Sequence, residues 1–185
     1  ANGAFNKLFN LKQLILHHNH QIYFIKQDLD DNVSNRIIPD GFFDDLISLE
    51  HLDLSSNGLE GVESNVLIYL KNLKSLILKE NCLKSIRSCI FKNLKNLSTI
   101  DLLGNFDLDL NKHEFLFNDI ESLNELRIEK LENYESGLEN LKEIIFDYNT
   151  SGATALELNL FRKDNHLEKI TFDSFYFSPD SNDLV

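Results

Sequence analysis

The sequence predicts an α/β solenoid of about seven stacked repeats, with the strands of successive repeats lying side by side in one parallel sheet. Three observations predict it. The run LEHLDLSSNGL at residues 49–59 spaces its leucines three apart, then two apart, and ends on an asparagine followed by one more leucine. That spacing fits neither a 3.6-residue nor a two-residue period. It returns as LKSLILKENCL at 73–83 and LSTIDLLGN at 97–105, so that Asn57, Asn81 and Asn105 stand 24 residues apart. Finally, Phe5, Phe43, Leu67, Phe91, Phe117 and Phe161 each stand six residues before a copy, and only the sixth copy lacks such a residue.

Looser copies are LKQLILHHN (11–19), LNELRIEKL (123–131), LKEIIFDYN (141–149) and LEKITFDSF (167–175), which extend the pattern over nearly the whole chain. The spacing has a physical reading. In each copy the closely spaced apolar pair sits on a short strand and faces one side, while the residue between them faces the other. The chain then turns sharply, and the asparagine can bond backbone groups that the turn leaves unpaired. One repeat cannot bury its apolar face alone, whereas stacked repeats share a continuous core.

The pattern resembles LxxLxLxxNxL, the signature of the leucine-rich repeat family. The stretch IPDGFFDDLISL at 38–49 resembles the longer repeat common in extracellular members, including Toll-like ectodomains. This resemblance implies a right-handed leucine-rich-repeat horseshoe, with a parallel concave β-sheet and loops or short turns on the convex side. A structural ladder is expected from Asn19, Asn57, Asn81, Asn105 and Asn149, interrupted where Leu131 and Phe175 take the same slot. The phenylalanines should form a spine on the convex side. Two residues before it, Gly3, Gly41, Asn65 and Cys89 mark a slot expected to turn left-handed, because Gly and Asn tolerate positive φ.

The repeats predict a single domain over 1–178 and a C-terminal tail over 179–185. The step from Leu11 to Leu49 is 38 residues, 14 more than the period, and places an insertion at about 20–37 in the first repeat. A surface insertion of this kind is inexpensive, since doubling a loop costs only about 0.6 kcal/mol. Neither end carries a recognisable cap, and the chain starts at Ala1 with no methionine anywhere, so a longer parent protein is expected.

Composition narrows the function. At 42% hydrophobic the chain can build a core, and it has no apolar run long enough to insert in a membrane. Its net charge of −12 argues against nucleic acid as a partner. The charge is uneven: residues 1–70 carry 4 basic and 10 acidic groups (−6), residues 71–100 carry 7 and 1 (+6), and residues 101–185 carry 7 and 19 (−12). The basic band and bare ends would also suit oligomerisation. No GxSxG, HExxH, P-loop or GxGxxG motif occurs. The only dense histidine cluster, HHNH at 17–20, has no nearby carboxylate to complete a metal site. A non-enzymatic module without a cofactor or metal is expected.

In the resembled fold the ligand surface is usually the concave face, made by residues that alternate with the buried pair. Those expected to contact a protein ligand or co-receptor are Ile15, His17, His51, Asp53, Ile77, Lys79, Asp101, Leu103, Arg127, Glu129, Ile145, Asp147 and Tyr148. Ile77 with Leu103, and Ile145 with Tyr148, would set apolar groups among charges, as protein-binding surfaces require. Asp101, Glu125, Glu129, Glu143, Asp147 and Asp173 would favour a basic partner. Cys82 and Cys89, seven apart in one repeat, are a candidate disulfide, with two free thiols or a link to another chain as the alternatives. Asn32 and Asn96 are candidate N-glycosylation sites. The expected setting is a secreted or cell-surface protein of innate-immune or cell-recognition type. The alternatives are a cytoplasmic adaptor of the same fold and a structural assembly subunit.

Overall fold

The computed structural model describes residues 4–19, 36–87, 89–110, 116–129, 138, 140–147 and 166–173. Strands form where each repeat alternates apolar and polar residues, and they are short: β1 (Gln13–Ile15), β3 (His51–Asp53), β5 (Ser75–Ile77), β6 (Thr99–Asp101), β7 (Glu125–Ile128), β8 (Glu143–Asp147) and β9 (Lys169–Asp173). They pair in parallel in the order β1-β3-β5-β6-β7-β8-β9. Register is uniform along the sheet. Leu14, Leu52, Leu76, Ile100, Leu126, Ile144 and Ile170 form one column of Cα partners. A one-residue slip would turn every one of these side chains to the opposite face.

Beneath the sheet lies a continuous core. Leu52, Leu54, Leu76, Leu78, Ile100, Leu102, Leu126 and Ile128 are buried, as are Leu59 and Leu83, the leucines that follow the asparagines. Phe43, Phe91 and Phe117 are fully buried on the far side. Phe91 stacks on Phe117 at 5.9 Å with an interplanar angle of 17°, and Phe5 lies 5.9 Å from Phe43. Leu67 fills the intermediate position and is also buried. The spine thus runs from Phe5 to Phe117, and Phe161 lies outside the described residues. The convex side consists of turns, with no helix among the described residues.

A second parallel pair was not legible in the sequence. β2 (Ile37–Ile38) pairs with β4 (Gly61–Val62) on the descending side. Most of the insertion lies outside the described residues, yet its last two positions are already part of the stack. The Glu60 N–H donates to the Arg36 carbonyl at 2.9 Å, and Ile37 pairs with Gly61.

The asparagines tie the turns together. Asn57 Nδ2 donates to the carbonyls of Leu16 and Leu54, both at 2.8 Å, and Asn105 Nδ2 donates to those of Leu78 (3.0 Å) and Leu102 (2.7 Å). The Leu83 N–H donates to Asn105 Oδ1 at 3.1 Å, and the Asn19 N–H to Asn57 Oδ1 at 3.1 Å. Asn149, Leu131 and Phe175 lie outside the described residues.

The left-handed slot is a correction. Gly41 has φ of +81°, but Asn65 does not turn left-handed; its N–H and Nδ2 instead bond the Asp40 carboxylate, each at 3.0 Å. The recurrent left-handed residue is the one just before each ladder asparagine: His18 (+58°), Ser56 (+54°), Glu80 (+55°) and Gly104 (+76°). At Gly104 a Cβ would come within 2.9 Å of the Glu80 backbone, so this repeat has room only for glycine.

Candidate functional site

Strand register sets the concave face out in columns. Ile15, Asp53, Ile77, Asp101, Arg127, Ile145 and Thr171 are successive Cα partners in the central column. On its N-terminal side run Gln13, His51, Ser75, Thr99, Glu125, Glu143 and Lys169. His17 and Lys79 belong to the column beyond it, where the Leu16 N–H bonds the Asp53 carbonyl and the Ser56 N–H bonds the Lys79 carbonyl.

Exposure divides the face. Ile15 is 60% exposed, His17 and His51 are exposed, and Asp53, Ile77 and Lys79 are half-buried. These six residues of the first three repeats present real surface. Arg127 and Glu129 are half-buried. Asp101, Leu103 and Ile145, however, are only 6%, 5% and 7% exposed. The expectation that Leu103 and Ile145 form an exposed apolar surface is therefore corrected. Leu103 has Lys79 and Glu129 as column neighbours, and strands about 4.8 Å apart let long side chains close over a shorter one. Asp147 lies on β8 next to Asp173 in the register, and Tyr148 lies outside the described residues.

The acidic half of the face is partly neutralised within the sheet. Arg127 Nε donates to Glu125 Oε1 at 2.6 Å, and its Nη1 lies 3.9 Å from Asp101 Oδ2. Lys169 Nζ donates to Glu143 Oε1 at 2.6 Å, and Glu129 Oε1 accepts the Gly104 N–H. Other concave carboxylates are occupied by the turn. Asp53 Oδ1 accepts from the Ser55 N–H (2.9 Å) and hydroxyl (2.6 Å), and Asp101 Oδ1 accepts from the Leu103 N–H at 3.1 Å.

Burial pushes the Asp101 carboxyl above its ordinary range, against the opposing pull of the Leu103 N–H and the Arg127 guanidinium. Its protonated form therefore favours the folded state. That contribution is full below pH ~4 and is lost as pH rises through the raised folded value. Asp101→Asn keeps the acceptor and removes the ionisation. The melting temperature of this variant relative to wild type should rise from pH 3 to pH 7. A difference that falls over that range would mean that Arg127 outweighs burial. Glu50, just before β3, has the opposite sign: bonds from Lys74 and then Lys12 hold its carboxyl at about 2, so its contribution is lost as pH falls from ~4.5 towards 2.

Cys82 and Cys89 are exposed and not joined to each other. Asn96 is exposed, and its Nδ2 donates to the Lys71 carbonyl at 2.9 Å. Asn32 lies outside the described residues. His17 and His18 face each other with Nδ1 atoms 2.9 Å apart, and no metal-binding group of three side chains occurs among the described residues.

A second row of side-chain bonds escaped the sequence reading. Asn72 Nδ2 donates to the Ile47 carbonyl, Asn96 Nδ2 to that of Lys71 and Asn140 Nδ2 to that of Glu121, each at 2.9 Å. The signal was present as the NL doublet that opens four of the repeats, at 10, 72, 96 and 140.

A family model and the Toll structure agree with this architecture. A family model described as "Leucine rich repeat" matches residues 28–82 and 47–106. The Toll–Spatzle complex, a molecular hub in Drosophila development and innate immunity, matches over 91% of this chain and 27% of that one, with 18% identity and a TM-score of 0.57. The complex of TLR13 with ssRNA13 matches over 72% of this chain and 27% of that one, with 23% identity and a TM-score of 0.48. The chain thus spans about a quarter of the length of each of these structures. No curated protein matches the sequence.

Proposed function

From the leucine-rich repeat match over residues 28–106 and the parallel solenoid that contains it, we propose that the chain is a non-enzymatic protein-binding module of a secreted or cell-surface leucine-rich-repeat protein, with its ligand on the concave face. One observation carries this reading. The core is complete beneath the sheet, yet Ile15, His17, His51, Asp53, Ile77 and Lys79 line its open side with side chains that the core does not need. Apolar groups among titratable ones are the ingredients of a protein contact. The ligand contacts are centred on these six residues, with Arg127, Glu129 and Asp147 continuing the surface. The repeats act as a single domain over 1–178. Toll, of similar fold, is solved in complex with Spatzle, which lends support by analogy of fold alone.

Double substitution Ile15→Glu/His51→Glu should remove the partner captured by the wild-type chain while leaving the thermal melt unchanged. Retention of the partner would move the site off the concave face. For localisation, intact mass of the natural protein should reveal a glycan on Asn32 or Asn96. The exposed, unjoined cysteines favour one rival, a cytoplasmic adaptor with reduced thiols. A bare mass with two free thiols would establish it.

A further inference from the structure

The residue two places before the first leucine of each repeat lies on the side of the solenoid where the convex turns run into the strands. From repeat 1 to repeat 5 these residues are Phe9, Ile47, Lys71, Lys95 and Glu121. Successive repeats are pinned there by Asn72 on the Ile47 carbonyl and Asn96 on the Lys71 carbonyl. At strand spacing of about 4.8 Å, five positions make a row about 19 Å long. Phe9 is 45% exposed and Ile47 48%; Tyr69, two residues before Lys71, is 51% exposed. Lys71 and Lys95 are exposed. The row therefore runs from apolar to basic and ends on an exposed acid at Glu121.

Ion pairing separates these lysines from their neighbours. Lys74 is held by Glu50, Lys79 by Glu80 and Lys84 by Glu60. Among the described residues Lys71 and Lys95 have no ion-pair partner, in a chain whose net charge is −12. Two adjacent, unneutralised cations in an acidic protein raise the local potential along this edge. Neither the core nor the concave face uses them.

We propose that this edge is a second docking surface, distinct from the concave face, for a protein segment that carries apolar anchors followed by carboxylates. The anchors lie over Phe9, Ile47 and Tyr69. The carboxylates meet Lys71 and Lys95, and Glu121 repels any acidic extension, which fixes direction and register.

The test is selection from a displayed library of random 12-residue peptides on the full chain, followed by affinity measurement on two variants. The enriched peptides should combine apolar residues with Asp or Glu. Their affinity should fall at least tenfold in Lys71→Glu/Lys95→Glu and in Ile47→Ser/Tyr69→Ser, and be unchanged in Ile15→Glu/His51→Glu. Melting curves of the three variants check folding. Absence of enrichment, peptides without acidic residues, or affinity insensitive to both edge variants would overturn the proposal. So would concentration-dependent self-association lost in the lysine variant, because the occupant would then be a second copy. Failure here with the Ile15→Glu/His51→Glu effect intact leaves the concave reading standing.

Discussion

Asn81→Ala should destabilise the protein by at least about 3 kcal/mol, because a buried backbone group left without its partner costs about 1–3 kcal/mol and this side chain serves several. Its Oδ1 accepts from the N–H groups of Asn57 and Leu59, both at 3.0 Å. Its amide hydrogens are shared among the carbonyls of Leu54 (3.0 Å), Leu78 (2.8 Å) and Lys79 (3.2 Å). The residue is 6% exposed, so bulk water does not reach these groups. Asn81→Asp provides the sharper experiment. It keeps the acceptor but turns a second oxygen towards three carbonyls, so at pH 7 it should be less stable than Asn81→Ala. The introduced carboxyl would have a raised folded pKa, so its deficit should shrink as pH falls through that value. Denaturant melts at pH 4 and pH 7 decide the matter. A carboxylate variant as stable as wild type at pH 7 would remove the ladder from the account of stability.

Phe91→Ala should cost about 3–5 kcal/mol, the usual range for truncating a buried phenylalanine. Phe91 is fully buried and stacked on Phe117, and no neighbouring side chain can fill its place without leaving its own repeat. Phe91→Leu should cost much less, about 1–2 kcal/mol, because Leu67 already occupies the equivalent position in the preceding repeat and is 1% exposed. The gap between the two variants is the informative quantity. Equal losses would mean that stacking geometry, rather than filled volume, holds the convex side together.

Much of this architecture is legible in the sequence for a simple reason: repetition reports the same structural demand several times. Asn57, Asn81 and Asn105 at constant spacing placed the turns, and with them every concave column. The spine was legible for the same reason, since a fixed offset from the strand is a fixed position in space. What single positions do was harder to read. Asn65 looked like a left-handed residue by its type, yet the neighbouring Asp40 determines its conformation by bonding both its N–H and its side chain. The true left-handed slot holds His18, Ser56, Glu80 and Gly104, which share no side-chain chemistry and so leave no signature. Leu103 and Ile145 were misread as surface because alternation gives direction and not exposure; both point away from the leucine core yet are only 5% and 7% exposed. Pairing of Glu125 with Arg127 and of Glu143 with Lys169 depends on side-chain reach within and across strands, which a count of charges does not contain.

The ladder has a consequence for how the molecule comes apart. Asn81 bonds backbone atoms of its own turn and of the preceding one, and Asn57 and Asn105 do the same one repeat away. None of the repeats that carry Asn57, Asn81 and Asn105 can detach without orphaning groups in a neighbour. In a linear stack this raises the coupling between units relative to the stability of each unit alone. The turns joined by Asn57, Asn81 and Asn105 consequently open as one cooperative block, and their amides share a single free energy of exchange.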